Sequence, residues 1–401
     1  MNIIFLTIVE MNDINDRSIY HDLLRKFRDE GHSVYVLYPT ERRTRLNTEI
    51  RTQDGITLLR VKTLNLQKTN VFEKGIGTIL LENQFLKQFK SYFSNISFDL
   101  LLYSTPPITL AKVIEYIKKR DYPVTYLLLK DIFPQNAIDL GMIKRNGILH
   151  RFFKKKEKRL YQSSDHIGCM SPANINFIIA DNPEIDPDRL EVNPNSISPR
   201  PILLSSEEKQ AILSKYHISQ QSIIFVYGGN LGKPQGVDFL IEVLQSNINK
   251  EGIFFLIVGS GTEYKHLHHW FQRNTPLNMR LLKGLPKNEY DKLVNACDVG
   301  LIFLDKRFTI PNFPARMLSY LESRLPVLAA TDKNSDVGKI IVAANCGFWS
   351  ESGDLSSFNN HIDFFLKNKH MIHEMGENSY QLLIDNYTVD ISYNSIIKHF
   401  K

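Results

Sequence analysis

Residues 223–236 combine the residue types that can bind a phosphate group. An apolar run at 223–227 predicts a buried strand, Gly228, Gly229 and Asn230 break it, and an amphipathic helix begins near Gly236. Backbone N–H groups at a glycine-rich strand-to-helix turn can hold an anion, and Lys233 places a charge in the same turn. The alternative is an ordinary connection whose glycines only provide the dihedral angles of the turn.

Three further loops of the second half also follow predicted strands. They cover residues 259–262, 283–286 and 312–316, and the last of them contributes the cation Arg316. Because the carboxyl ends of parallel strands meet at one edge of a sheet, we expect all four loops to converge on one crevice. Two cations and glycine-bearing helix starts are the composition expected of a site for a ribonucleotide diphosphate.

In the first half, Lys130 and Asp131 directly follow a predicted buried strand at residues 124–129. Their position at the carboxyl end of a parallel strand makes Asp131 a candidate site residue. A helix cap or an ordinary loop carboxylate is an equally acceptable interpretation.

The elements that carry these residues form an α/β pattern in both halves. Predicted strands at 2–9 and 32–38 flank a helix with Asp16 as its N-cap, which indicates a βαβ unit and a parallel sheet. The first strand-to-helix turn has no glycine, so the dinucleotide fingerprint of dehydrogenases is absent there. Residues 42–70 are predicted to be a loop with one extended piece at 56–61. The second half repeats strand and helix and ends in helices.

Length and composition indicate two domains and exclude several classes of protein. A chain of 401 residues exceeds a single core, and the Pro- and Asn-rich segment 182–201 is the predicted boundary. The domains would then cover 1–198 and 199–384. A net charge of +6 does not require a nucleic-acid partner. Three separated cysteines, an opening without a basic leader and no long apolar run predict a cytoplasmic protein.

Residues 149–161 form a basic segment in which Phe and Leu alternate with Lys and Arg. One interpretation is a helix that lies against anionic lipid or docks a polyanionic acceptor. The other is a solvated charged face of the protein.

The order and spacing of five segments resemble the GT-B glycosyltransferases of family 4, in particular the bacterial branch that includes L-fucosamine transferases of capsule and O-antigen synthesis. The resemblance covers essentially the whole chain. It implies the GT-B fold: two Rossmann-like domains whose parallel sheets face a central cleft, with a C-terminal helix at about 385–401 returning to the first domain. The segments are 130–134 (KDIFP), 170–173 (MSPA), 227–236 (YGGNLGKPQG), 258–261 (VGSG) and 313–329, which begins FPARMLSYLE and ends PVLA.

The resemblance implies a retaining transfer of a sugar, in this branch an N-acetylated amino sugar, from a UDP-sugar to an undecaprenyl-linked saccharide. It implies no metal and no other cofactor, and peripheral contact with the inner face of the cell membrane would suit the acceptor. The expected catalytic residues are Asp131, Lys233 and Arg316. The residues expected to bind the nucleotide sugar are Gly229, Asn230, Gly259, Lys283, Leu285, Asn312, Phe313, Arg316, Ser319 and Glu322. On the acceptor side the expected residues are Glu10, Asn12, His21 and Lys130, of which His21 could equally be structural.

The chain departs from the family in its first phosphate loop. Many members carry an arginine and a lysine there, and those places fall on Asn230 and Gln235. Lys233 and Arg316 remain as the expected cations for the diphosphate.

A second departure concerns a pair of glutamates eight positions apart, which many members carry before the strand that starts near Pro326. Those places fall on Pro311 and Ser319. Glu322 lies on the same helix face as Ser319 and could bind the ribose hydroxyls or be a surface glutamate. With the glutamates missing, a non-catalytic nucleotide-sugar-binding subunit is one alternative function, and a GT-B nucleotide-sugar epimerase is another.

Overall fold

The computed structural model describes residues 1–65 and 71–400, and within it the chain divides into two compact units. The first comprises Met1–Ser198 together with Val389–Lys401, and the second comprises Pro199–Thr388. The return to the first unit begins at Val389 rather than at about 385, because helix and loop up to Tyr387 still pack within the second unit.

The first unit contains an eight-stranded sheet. All neighbouring strands are parallel except β3, which pairs with β4 in the antiparallel sense, and the order is β3-β4-β2-β1-β5-β6-β7-β8. The strands are β1 (Asn2–Leu6), β2 (Ser33–Glu41), β3 (Glu49–Gln53), β4 (Ile56–Thr63), β5 (Leu100–Ser104), β6 (Val124–Leu129), β7 (His166–Cys169) and β8 (Leu190–Val192).

Helices cover this sheet, and the last one comes from the end of the chain. Residues of α1 and α15 share one core with β1 and β2, and the rings of Phe27 and Tyr393 lie 5.1 Å apart. The helices are α1 (Ile19–Asp29), α2 (Val71–Tyr92), α3 (Ala111–Asp121), α4 (Gln135–Asp139), α5 (Ile148–Ser163), α6 (Pro172–Asp181) and, after the second unit, α15 (Val389–Ile397).

The second unit contains a fully parallel six-stranded sheet in the order β11-β10-β9-β12-β13-β14. Its strands read as near-continuous apolar runs, as expected for strands that are covered on both faces. They are β9 (Ile223–Asn230), β10 (Ile253–Ser260), β11 (Met279–Leu282), β12 (Val299–Phe303), β13 (Val327–Thr331) and β14 (Gly347–Glu351).

Eight helices of the described chain belong to this unit. A single core includes Phe225, Phe255 and Phe303 of the sheet together with Leu240 of α8 and Phe365 of α13. The helices are α7 (Ser206–Lys215), α8 (Val237–Ser246), α9 (Tyr264–Asn274), α10 (Lys287–Asn295), α11 (Arg316–Glu322), α12 (Val337–Ala343), α13 (Leu355–Lys367) and α14 (Met371–Asn386).

Three sequence expectations about the elements are wrong. The N-cap of α1 is Ser18, whose hydroxyl accepts from His21 N, and not Asp16. The segment predicted as a loop with one extended piece contains the β3–β4 hairpin, while its last residues, 66–70, lie outside the described residues. The strand predicted at 223–227 continues to Asn230, since β10 pairs with it along its whole length.

Candidate functional site

The second sheet has a topological switch point between β9 and β12. The strand after β9 is added on one side of the sheet and the strand after β12 on the other. Ligands of open α/β sheets bind outside the carboxyl ends of the strands at such a point. Two of the four predicted loops are located there: the end of β9 at Gly228, Gly229 and Asn230, and the loop between β12 and α11.

Two different features of the structure favour the glycines at the end of β9. A Cβ atom on Gly228 would lie 1.7 Å from the hydroxyl of Tyr290. Gly229 has a φ of +124°, and a Cβ atom there would lie 3.6 Å from the guanidinium carbon of Arg316. The absence of a side chain at Gly228 therefore lets a tyrosine approach the strand backbone, whereas Gly229 is favoured by its positive φ.

Arg316 is the first residue of α11, and its guanidinium group is held beside this backbone. Its Nη2 donates to Gln235 Oε1 at 2.6 Å, and its central carbon lies 4.4 Å from the ring centroid of Tyr227. The Nη1 atom is buried and has no hydrogen-bond partner within the described chain. The guanidinium group is thus fixed in position and still has donor capacity.

Aromatic hydroxyls, and no carboxylates, surround this guanidinium group. The hydroxyl of Tyr320 accepts from Gly228 N and donates to Leu301 O, each at 3.1 Å. Burial raises the pKa of Tyr320 to about 12 and that of Tyr290 well above its ordinary value. The tyrosines therefore stay neutral, and no ion pair of Arg316 exists among residues 1–65 and 71–400. A buried cation without a counter-charge favours an anionic ligand.

The loop before α11 adds a second donor. The side-chain amide nitrogen Nδ2 of Asn312 is buried without a partner in the described chain, while the backbone carbonyl oxygen of Asn312 accepts from Ser335 Oγ at 2.7 Å. Phe313 is buried, and its ring lies 5.7 Å from that of Tyr387. Asn312 can therefore donate to a ligand, whereas the Phe313 side chain packs within the unit.

Glu322 is a buried residue at the end of α11 and not a surface glutamate. Its Oε1 atom accepts from the backbone N–H of Arg200 at 2.6 Å. Ser319, one turn earlier, is partly exposed. Glu322 thus links α11 to the start of the second unit, and this contact occupies one of its two carboxylate oxygens.

The remaining residues predicted to bind the nucleotide sugar lie at or after the carboxyl ends of β9, β10 and β11. Lys233 and Lys283 are exposed, and neither forms an ion pair within the described ranges. Leu285 is partly buried, and Asn230 is exposed at the end of β9. Gly259 allows β10 and β9 to lie close together, since a Cβ atom on it would lie 2.1 Å from Gly229 O. The structure therefore gives Arg316 much more defined surroundings than Lys233.

The first sheet has its own switch point, between β1 and β5, and Asp131 lies one strand further along. Both carboxylate oxygens of Asp131 accept from Asn136 Nδ2, at 2.8 and 2.9 Å. The backbone N–H groups of Lys130 and Asp131 donate to Thr105 Oγ1 at 3.0 and 3.1 Å. These bonds hold the Asp131 carboxyl group in place at the carboxyl edge of the sheet.

Burial shifts the pKa of Asp131 and that of Lys130 in the directions that favour the neutral form of each side chain. It raises the pKa of Asp131 to about 6, an effect that the Asn136 hydrogen bond reduces. It lowers the pKa of Lys130 to about 7, and Lys130 Nζ donates to the backbone carbonyls of Asn193 and Pro194 at 2.9 and 3.1 Å. Lys130 therefore anchors the segment after β8, and the pKa values of both Lys130 and Asp131 lie close enough to neutral pH for proton exchange.

The other predicted acceptor-side residues differ in their surroundings. Glu10 and Asn12 are exposed, and Asn12 Nδ2 donates to Glu10 Oε2 at 3.4 Å. His21 is buried in α1, its Nδ1 lies 2.6 Å from Ser18 Oγ, and burial lowers its pKa. The contact with Ser18 fits a structural role for His21 at the start of α1.

Sequence reasoning missed the residues that hold the site in place. Gln235 appears in the sequence only as a position without the expected lysine, yet it is the hydrogen-bond partner of Arg316. Tyr290 and Tyr320 line the guanidinium group from α10 and α11. In the first unit, Asn136 holds Asp131. A polar residue five positions after Asp131, just inside a short helix, was the available signal for the last of these.

Among the described residues, no group of three or more His, Cys, Asp and Glu side chains is arranged to hold a metal ion. None of the helices in the same part of the chain combines the length and apolar character needed to span a bilayer. Cys169, Cys297 and Cys346 are buried and free.

Comparison with solved structures supports one fold. Sucrose-phosphate synthase from Thermosynechococcus elongatus has a TM-score of 0.77 and 12% identity, with 100% of this chain and 98% of that chain covered. HepE from Anabaena in complex with UDP has a TM-score of 0.72 and 14% identity, with 100% of this chain and 99% of that chain covered. The glycosyltransferase WaaG of lipopolysaccharide biosynthesis has a TM-score of 0.65 and 13% identity, with 99% of each chain covered.

Sequence comparisons point to the same group of proteins. The probable glycosyltransferase WbjE from Pseudomonas aeruginosa is 21% identical over 250 residues, which is 62% of this chain and 62% of the length of that relative. Residues 208–382, which lie within the second unit and contain Gly229 and Arg316, match the model of the family "Glycosyl transferases group 1". The chain therefore has the two-domain α/β fold of the GT-B proteins, and its second unit contains a segment of the group 1 glycosyl transferase type.

Proposed function

We propose that the protein is a glycosyltransferase that uses a UDP-sugar and that Arg316 binds the diphosphate of this donor. The observation that carries the proposal is the guanidinium group beside Gly229, with a buried Nη1 and no counter-charge among the described residues. Group 1 membership of residues 208–382 and the UDP and UDP-glucose bound in HepE structures support the same type of ligand.

The proposed reaction needs stabilisation of a leaving group more than a protein base. The bond between the anomeric carbon and the diphosphate oxygen breaks, and a bond to an acceptor hydroxyl oxygen forms on the same face. The acceptor proton passes to the departing phosphate, so that configuration is retained and atoms balance. Arg316, the Asn312 amide and backbone N–H groups near Gly229 would stabilise the negative charge that develops on the diphosphate, and no metal ion is required.

The proposed acceptor is a saccharide on an undecaprenyl-type lipid, and the proposed donor sugar is an N-acetylated amino sugar. The resemblance to family 4 transferases of the L-fucosamine type supports both, and the involvement of WaaG in lipopolysaccharide biosynthesis fits a saccharide acceptor. The reaction would belong to capsule or O-antigen biosynthesis at the inner face of the cell membrane. Asp131, with its pKa raised to about 6 and its position fixed by Asn136, is proposed to orient the acceptor hydroxyl group.

The experiment that tests the proposal separates binding from transfer. Calorimetric titration of the full chain with UDP, in buffer containing EDTA, should give a dissociation constant in the micromolar range. A screen of UDP-sugars with synthetic undecaprenyl-linked saccharides, followed by UDP release, should then identify a donor, and the anomeric coupling constant of the product should show retention. Absence of UDP binding would refute the proposal.

A second function follows from one specific observation. Neither position of the family's glutamate pair is acidic, and the nearest glutamate, Glu322, accepts from Arg200 N. UDP-sugar binding without transfer to any acceptor would favour a nucleotide-sugar-binding subunit that supports another transferase.

A further inference from the structure

The segment from Met142 to the first two turns of α5 exposes four large apolar side chains. The exposed fractions are 67% for Met142, 87% for Ile148, 59% for Leu149 and 37% for Phe152. Phe152 lies four positions from Ile148 and three from Leu149, so it is a neighbour of both on the helix surface. Phe153, by contrast, points inward, and its ring lies 4.9 Å from that of Phe133.

Four of the five cations of this segment have no acidic partner in the described part of the chain, while the fifth, Lys154, pairs with Glu157 and Asp181. Lys144, Arg145, Arg151 and Lys155 are exposed, and none of them forms an ion pair within the described ranges. Residues 142–155 contain five Lys and Arg residues and no Asp or Glu. The segment therefore has a concentrated positive charge next to exposed apolar surface.

The second half of α5 is built differently. Lys156 pairs with Glu82, Lys158 with Glu184 and Arg159 with Glu115. Leu160 and Tyr161 are buried in the first unit. The sequence suggests one basic amphipathic helix over 149–161, but the structure limits its unpaired surface to the first two turns and the preceding loop.

We infer that residues 142–155 form a surface that docks on an anionic lipid bilayer, hereafter the docking surface. Unpaired cations attract anionic headgroups, and exposed apolar side chains at a helix start gain free energy by entering the apolar boundary of the bilayer. A soluble polyanion would use the cations but not Ile148 and Leu149. The combination therefore selects a lipid surface over a polyanionic acceptor.

This inference rests on the proposed function, since an acceptor on a lipid carrier requires the enzyme to be at a membrane. The experiment that tests the inference measures membrane binding and does not depend on the transfer reaction. Sedimentation of the full chain with vesicles of phosphatidylcholine containing 30 mol% phosphatidylglycerol should show binding that weakens in high salt. Vesicles of phosphatidylcholine alone should bind far less. The double variant Arg145→Gln/Arg151→Gln should weaken binding about 30-fold, since each cation near an anionic surface contributes roughly fivefold.

A second double variant tests the apolar part, and a third serves as a matched control. Ile148→Ser/Leu149→Ser should lower binding by at least about tenfold without a change in net charge. Lys265→Gln/Arg273→Gln removes the same charge from exposed positions of α9 in the second unit and should leave binding within about twofold. Circular dichroism and thermal unfolding verify that all variants fold.

Three outcomes would overturn the inference. The first is a loss of vesicle binding in the control variant equal to that in Arg145→Gln/Arg151→Gln, which would indicate a general effect of net charge. The second is unchanged binding in the Ile148→Ser/Leu149→Ser variant. The third is binding to heparin but not to vesicles, which would identify a soluble polyanion as the partner. UDP binding measured on the same variants distinguishes failure of this inference from failure of the proposed function.

Discussion

Replacement of Arg316 by methionine should abolish most of the affinity for UDP while leaving the fold intact. In the free protein the guanidinium group is held by Gln235 and the ring of Tyr227, and its Nη1 has no partner in the described chain. A charge-assisted hydrogen bond to a phosphate contributes roughly 1.5–3 kcal/mol. Loss of this contact and of the charge should therefore raise the dissociation constant of UDP by about 100-fold.

The same replacement should change stability little, because opposing contributions nearly cancel. Methionine loses a cation–π contact and a hydrogen bond, each of about 1 kcal/mol. It also removes a buried charge that has no counter-charge, and the desolvation cost that is thereby avoided is of similar size. We expect the midpoint of thermal unfolding to change by only a few degrees. If Arg316 were structural, stability would fall and UDP affinity would not.

Arg324 provides a matched control for this prediction. Its guanidinium carbon lies 4.0 Å from the ring centroid of Tyr380, and it pairs with Glu377 in the same unit. Arg324→Met therefore removes an arginine stacked on tyrosine that already has a counter-charge. Calorimetric titration with UDP should give the wild-type dissociation constant. A loss of affinity equal to that of Arg316→Met, or an unchanged affinity in Arg316→Met, would refute the reasoning.

Three further predictions concern the surroundings of the two switch points. Gln235→Ala should leave the fold intact and weaken UDP binding about tenfold, measured by titration, because Arg316 loses the bond that positions it. Gly228→Ala should lower the free energy of unfolding in denaturant by about 1–3 kcal/mol or more, since its Cβ would overlap a tyrosine hydroxyl. Gly284→Ala, where nothing lies within 4 Å of the added Cβ, should have little effect. Burial raises the pKa of Asp131 from 3.8 to about 6, so its ionisation lowers stability as pH rises from below 4 through 6. Asp131→Asn should therefore stabilise the protein by up to about 3 kcal/mol at pH 8 and by almost nothing at pH 3.5, measured by urea unfolding at both values.

The sequence predicts most of the elements because their apolar patterns are strong. Strands β6 and β11 have the bounds expected from their apolar runs, whereas β8, with three residues at the sheet edge, gives no periodic signal. The end of β9 was misjudged because glycine indicates a turn from local propensity, while here the partner strand keeps Gly228 and Gly229 extended. Tertiary packing, which no single segment encodes, decided that boundary.

The structure places the predicted residues Arg316 and Asp131 at the carboxyl ends of strands, and it adds partners for them that the sequence did not indicate. Strand ends and a switch point can be inferred from the alternation of strands and helices, so Arg316 and Asp131 could be selected from sequence. The partners that fix them come from distant parts of the chain: Gln235 lies 81 positions from Arg316. A glutamine without charge gives no signal of its own, and only the packed structure shows that it orients a guanidinium group.

The two candidate sites, at the switch point of the second sheet and after β6 in the first sheet, have opposite electrostatic character. In the second unit a cation is kept beside strand backbone without a counter-charge. In the first unit a carboxyl group is kept where burial disfavours its charge, held by the neutral amide of Asn136 and with no cation pairing with it among residues 1–65 and 71–400. Burial of each charge carries a desolvation cost, which for Arg316 is nearly offset by its cation–π contact and its hydrogen bond. An anion bound in the second unit would supply a counter-charge for Arg316, and a hydroxyl group bound in the first unit would donate a hydrogen bond to Asp131. Arg316→Met and Asp131→Asn should therefore each retain or raise stability while lowering transfer, and a variant of either residue that loses stability and keeps full turnover would contradict this account.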